Sequence, residues 1–253
     1  MTAYIPHPEA WQASWDRQQE GYLPDREHRF ATMLDAVDAA TGGAPPRLLD
    51  LAGGTGTITL RALARFGRAE ATVLDQDPVL LAIAAASLGE RAQLVDADLG
   101  GPAWAAKLPT GDYDAVLTAT ALHWLDADRV KALYAEIRQV LRPGGIFVNA
   151  DYMPDEGLGE FTKQLQSRSD IRREAGYEAG GTLSWRDWWK QVAQADYFRP
   201  LLAERERIYP SETHSAEWLP PATWHVEALR EAGFPAAGLL WRGGTDAAVI
   251  AIA

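Results

Sequence analysis

The sequence predicts a doubly wound, mostly parallel seven-stranded α/β sheet with a C-terminal antiparallel hairpin and a helical cap insertion. Three observations carry that prediction. From Arg47 onward, short apolar runs alternate with helix-length segments, the order that builds a parallel sheet through right-handed crossovers. A glycine cluster, Gly53, Gly54 and Gly56, stands between the first apolar run and the first of those helices. The last two apolar runs, 238–242 and 247–252, are separated only by Gly243, Gly244, Thr245 and Asp246, so they turn back on each other.

The elements follow in order. Residues 11–40 have a helical rhythm with a break near Gly21 and Pro24, and Gly42, Gly43, Pro45 and Pro46 end it. Residues 48–51 form the first buried strand, and 57–66 a helix stopped by Gly67. Residues 71–75 are the second strand, after which Pro78 opens an alanine-rich helix running to Gly89. Short strands at 92–95 and 113–118 follow. Residues 129–141 make an amphipathic helix closed by Pro143, Gly144 and Gly145, and 146–148 is the fifth strand. Residues 151–215 break the alternation: they are polar, mainly helical in pattern, and rich in tryptophan at 185, 188 and 189. They are expected to form a cap over the sheet end, so that 1–150 and 216–253 make the main domain and 151–215 the insertion. Residues 222–232 restore the pattern with a last helix before the hairpin.

A chain of 253 residues, 47% of them hydrophobic, supplies one large α/β core plus such an insertion. The net charge of −11, with no basic cluster, argues against nucleic acid and against anionic membranes as partners. There are no cysteines, which removes disulfides and thiolate metal sites and fits a reducing cytoplasm, the expected location. Residues 1–10 lack the basic start and apolar run of a signal peptide, and no apolar stretch reaches transmembrane length. No metal site is expected, because His7, His28, His123, His214 and His225 show no ligand spacing. Asp126 and Asp128 read as solvated acids at a helix start. The oligomeric state is not legible.

Chemistry concentrates at the glycine loop. Asp50 stands just before it, Asp75 ends the second strand, and Asp98 follows the third. An acid at the end of the second strand is placed to accept hydrogen bonds from ribose hydroxyls, although it also suits a helix N-terminus. Asp50 reads equally as an acceptor that organises the loop and as a ligand contact. The dinucleotide pattern G-x-G-x-x-G fails, since counting from Gly54 and Gly56 its third position is Thr59. A phosphate-binding P-loop fails outright, because no Gly-Lys-Ser/Thr follows.

Residues 50–56, Asp-Leu-Ala-Gly-Gly-Thr-Gly, resemble motif I of the class I S-adenosyl-L-methionine (SAM)-dependent methyltransferases, D/E-x-G-x-G-x-G, with Ala52 in place of the first glycine. Residues 73–78, 95–99, 113–117 and 141–145 resemble the family's later motifs in their usual order. The resemblance covers about 25–150 and 222–253 and implies a Rossmann-like fold and methyl transfer from SAM, with S-adenosyl-L-homocysteine (SAH) as product. It implies that Ala52, Gly53, Gly54 and Gly56 face the methionine part of SAM, and that Asp75 and Gln76 hold the ribose edge. It implies that Asp98 and Leu99 read the adenine, and that Thr118 and Ala119 line the sulfonium side. Tyr22 or Arg29 would meet the methionine carboxylate from a helix closing over the cofactor.

On the acceptor side, His123 follows the fourth strand, where the resemblance places the transferring methyl. Three roles stay open for it: general base, substrate hydrogen bond, or structure. Trp124 reads as a pocket wall or as core. Trp15, Trp185 and Trp189 would line an apolar acceptor pocket or simply pack the cap, and His214 and Trp218 are weaker candidates of the same kind. The implied function is methyl transfer to a small molecule, with oxygen favoured as acceptor. A nicotinamide-dependent oxidoreductase and a non-catalytic SAM-binding protein are the alternatives.

Overall fold

The computed structural model describes residues 4–23, 25–210 and 217–253. Two helices, α1 (Pro8–Tyr22) and α2 (Arg26–Thr41), precede the alternating part. That part runs β1 (Arg47–Leu51), α3 (Thr57–Arg65), β2 (Glu70–Asp75), α4 (Pro78–Leu88), β3 (Gln93–Asp96), β4 (Tyr113–Ala119), α5 (Ala127–Val140) and β5 (Leu141–Tyr152). Helices α6 (Gly159–Glu178), α7 (Trp185–Gln194) and α8 (Arg199–Ile208) fill the predicted insertion. Helix α9 (Ala222–Glu231) and strands β6 (Ala236–Gly243) and β7 (Asp246–Ile252) complete the chain.

The seven strands form one sheet in the order β3-β2-β1-β4-β5-β7-β6. Neighbours among β1 to β5 run parallel, while β7 lies antiparallel to both β5 and β6. The hairpin thus inserts its second strand next to β5, a position that spacing alone does not reveal. Strand β5 is longer than its apolar run: it begins at Leu141, opposite Tyr113, and carries the Pro143–Gly145 turn as an irregularity before Ile146 meets Ala115. It also continues to Tyr152, two residues into the segment assigned to the insertion.

Side-chain alternation splits the core into two layers. Ala115 and Leu117 of β4, with Ile146, Val148 and Ala150 of β5, pack under Phe30, Met33, Leu34 and Val37 of α2 and Ile58 of α3. Val116 and Phe147 point to the opposite face, against Val130, Leu133, Tyr134 and Ile137 of α5 and Leu229 of α9. Successive strand residues feed opposite faces, so strands covered on both sides read as continuous apolar runs.

A third apolar cluster ties the insertion to the main domain. Trp188 and Val192 of α7, with Phe198, pack on Trp15 of α1 and on Val79, Leu80 and Ile83 of α4. Their polar atoms are also matched: Trp188 Nε1 donates to Ser14 Oγ at 3.1 Å, and Trp11 Nε1 to Tyr197 Oη at 2.8 Å. The insertion is therefore docked along α1 and α4 by a continuous aromatic layer. Among the described residues no helix is long and apolar enough to cross a membrane.

Candidate active site

The strand order reverses between β1 and β4, with β2 and β3 to one side and β5 to the other. In an open parallel sheet the connections then leave in opposite directions and open a crevice at the carboxyl ends of those strands. The register sets Asp50 beside Leu117 and Ala119 beside Ala150, so the glycine loop and the chain after β4 leave the sheet at one edge.

The loop owes its shape to a few backbone choices. Ala52 has φ +54° and Gly54 φ +56°, both left-handed. Ala52 thus holds the torsion for which glycine is suited, at the cost of strain from its Cβ. A Cβ on Gly54 would meet only Leu80 Cδ1, at 3.6 Å, so the torsion rather than crowding calls for glycine there. At Gly53 a Cβ would fall 2.7 Å from Asp50 Cγ, so the carboxylate beneath the loop excludes a side chain.

Asp50 is buried and accepts from Thr59 N at 3.1 Å and Thr59 Oγ1 at 2.9 Å, which anchors the first turn of α3. Its Oδ1 has no partner. Burial, opposed by the Thr59 bonds, raises its carboxyl to about 6. Asp75 Oδ2 accepts from Gly54 N at 2.8 Å, and Oδ1 accepts from the amides of Gln76 and Asp77, each at 2.8 Å. It thereby joins the two loops. Burial again raises its carboxyl to about 6. Asp98 lies exposed in the turn after β3, its Oδ1 accepting from Gly100 N at 2.7 Å, and Leu99 is buried beside it with its carbonyl held by Arg129 Nε. Thr118 is wholly buried with an unpartnered hydroxyl, and Ala119 is half-buried at the strand end.

These residues fit SAM. The left-handed loop at Ala52, Gly54 and Gly56, the open side of Gly54, and a carboxylate at the end of β2 together make a backbone cradle beside an acid of the kind that accepts from hydroxyls.

At the end of β4, Thr120 also has φ +53°, a rare and strained torsion for a β-branched residue, and its N–H still donates to Ala150 O. The chain then makes one tight turn, Leu122–Trp124, that presents His123. His123 Nδ1 lies 2.9 Å and 3.1 Å from the two carboxylate oxygens of Asp151, near the end of β5. Asp151 is buried and also accepts from Tyr152 N. Burial, the largest single influence, pulls the imidazole down. The hydrogen bond and charge of Asp151, with Glu217 adding, outweigh it, and the net shift is upward. Asp151 was not foreseen. The signal existed, since it follows an apolar run just as Asp50 and Asp75 do, but it was counted into the insertion.

The other expected residues are spread around this edge. Tyr22 is partly exposed at the end of α1, under the Arg173 guanidinium at 4.8 Å. Arg29 is 1% exposed, 3.3 Å from Asp246 and beside the Trp241 ring, with Nε and Nη1 unpartnered, so it is sealed inside the fold. Trp124 leaves half its surface exposed beside the His123 ring. Trp15 is buried against Trp185 and Trp188, Trp185 is largely exposed, and Trp189 is half-buried under Arg205. Trp218 donates its backbone N–H to His123 O at 2.9 Å, and His214 lies outside the described residues.

A parallel sheet with its glycine loop at the switch point, and β7 inserted antiparallel beside β5, defines a SAM-binding methyltransferase fold. Comparison with known proteins agrees. Residues 48–145 match the family model described as a methyltransferase domain. The demethylmenaquinone methyltransferase of Thermus thermophilus is 40% identical over 122 residues, 47% of this chain and 53% of that protein. A ubiquinone/menaquinone biosynthesis C-methyltransferase of Methylobacterium nodulans is 39% identical over 110 residues, 43% of this chain and 42% of that protein. The chain thus spans about half the length of the curated relatives it matches. Human N-acetylserotonin methyltransferase, crystallised with SAM, shares the fold at a TM-score of 0.55 and 17% identity, covering 96% of this chain and 57% of that one. Residues 48–145 thus match a methyltransferase domain, and they sit in the fold of a methyltransferase crystallised with SAM.

Proposed function

We propose that this enzyme methylates a small molecule bearing an ionisable hydroxyl, with oxygen as the favoured acceptor and His123 as general base. The observation that carries this reading is the His123–Asp151 pair. SAM, when bound, supplies a methyl already activated on a sulfonium, so the chain's own residues must position the acceptor and remove its proton. The Asp151 carboxylate accepts Nδ1–H, which fixes the tautomer and leaves the Nε2 lone pair to take that proton. The buried charge of Asp151 then stabilises the imidazolium that forms. Alignment in a dry cleft supplies much of the remaining acceleration, ~7–11 kcal/mol in favourable cases. The insertion, whose residues 185–202 dock on α1 and α4, serves as the cap that sets acceptor choice and excludes water.

A second reading, carbon methylation, is favoured by the two relatives named above, one of which is described as a C-methyltransferase. Deprotonating a ring hydroxyl would also activate the neighbouring carbon, so the same pair serves both outcomes. The experiment is turnover of a panel of phenols and hydroxyquinones with ¹³C-methyl SAM, following SAH release and assigning the product by NMR. A methyl ether supports the first reading and a C-methyl product the second. His123→Gln and His123→Ala should both turn over poorly with SAM affinity intact. Wild-type turnover by both would remove His123 from the chemistry.

A further inference from the structure

The far end of the insertion reaches the cofactor cleft at a place that the methyl-transfer reading does not use. Asp77 lies two residues beyond Asp75 and is almost fully buried. Its Oδ1 caps α4, accepting from Val79 N at 2.9 Å and Leu80 N at 3.2 Å. Its second oxygen, Oδ2, pairs with Arg205 of α8, whose Nε lies 2.6 Å away. The Arg205 guanidinium is itself held by aromatic faces, 3.8 Å from the centre of the Trp189 ring and 5.1 Å from that of Tyr209. Asp77 N–H in turn donates to Asp75 Oδ1 at 2.8 Å. Residues 75–77 are therefore held from two sides: by the glycine loop through Gly54 N, and by α8 through Arg205.

We propose that Arg205 is a cofactor-positioning residue, which closes the nucleoside side of the SAM cleft by holding Asp77 from the cap. The proposal rests on Asp75 as the ribose acceptor. Arg205 fixes the loop that follows β2, and through it the carboxylate of Asp75. Because the same helix belongs to the cap, filling the cleft and ordering α8 are thermodynamically linked: whatever SAM gains from a held loop, α8 gains from bound SAM.

The test compares wild type with Arg205→Met and Arg205→Lys. SAM and 5′-methylthioadenosine, which keeps the nucleoside and lacks the amino acid, are titrated by calorimetry. Arg205→Met is expected to raise Kd for both ligands by the same factor, about five- to tenfold, the scale of one hydrogen bond. In turnover the KM for SAM rises while kcat at saturating SAM and the acceptor KM stay put. Arg205→Met should abolish the protection from hydrogen exchange that SAM confers on 199–208, and Arg205→Lys should restore part of it. Unchanged Kd for both ligands, or full protection of 199–208, in Arg205→Met overturns the proposal. Asp75→Asn separates the two levels. If it too leaves SAM binding unchanged, the cofactor-site assignment itself fails. If it weakens binding while the α8 variants do not, only the role of α8 fails.

Discussion

Asp151→Asn isolates the base from the binding site. The substitution keeps the side-chain volume, and the amide oxygen can still accept from Tyr152 N, as Oδ1 does at 2.9 Å. What changes is the charge: the oxygen at Oδ1, 2.9 Å from His123 Nδ1, can still accept its proton, but an amide NH₂ replaces Oδ2 and the carboxylate that stabilises the imidazolium is gone. A hydrogen bond to a charged group is worth about 1.5–3 kcal/mol. At a factor of ten per ~1.4 kcal/mol, kcat should fall roughly ten- to 150-fold. SAM affinity should not change. The pH profile gives a second reading. In the wild type Asp151 holds the imidazole above its ordinary value, so kcat declines on the acid side as Nε2 becomes protonated near that raised value. Without the Asp151 charge, burial dominates and the acid limb moves to lower pH. The assay is SAH release at saturating acceptor from about pH 5 to about pH 9, with SAM binding measured separately. If kcat stayed within about threefold of wild type and the acid limb did not move, the general-base argument would be wrong. Linkage gives the matching sign for stability. Because the folded pKa of His123 is raised, the pair's contribution is complete below about 6.5, the unfolded value, and is lost as pH rises through the folded one.

In its proposed ribose role Asp75 accepts as a carboxylate, and its carboxyl is raised to about 6, so SAM affinity should weaken as pH falls through that value. Calorimetry should also show Asp75→Asn binding SAM about 2–3 kcal/mol more weakly and with a flatter pH dependence. Ala52→Gly removes the Cβ strain at φ +54° and should stabilise the fold by up to about 1 kcal/mol in urea while leaving the SAM Kd within about twofold; a loss of stability would contradict the strain argument. Trp188→Ala empties the centre of the layer between α1, α4 and α7 and should cost about 3–5 kcal/mol, measured by denaturant unfolding. A loss below about 1 kcal/mol would mean that the insertion is not docked as described.

The alternation of apolar runs and helices after Arg47 was enough to place all seven strands and the glycine loop, because local periodicity and glycine torsions are written residue by residue. Asp50, Asp75 and His123 were likewise legible, each standing at the end of an apolar run where a parallel sheet opens its crevice. The partnerships were not. Asp151 lies 28 residues from His123, and Arg205 lies 128 residues from Asp77. Only the pairing of β5 beside β4, and the docking of α7 and α8 on α4, bring those charges together. The same holds for β7, whose insertion between β5 and β6 depends on long-range strand pairing. Arg29 is a further case: the resemblance implies a carboxylate ligand for it, on a helix closing over the cofactor, and only the fold sets it between Asp246 and Trp241. A side chain's neighbours across the fold are decided by which faces must be buried together, and that is a property of the assembled layers rather than of any one segment.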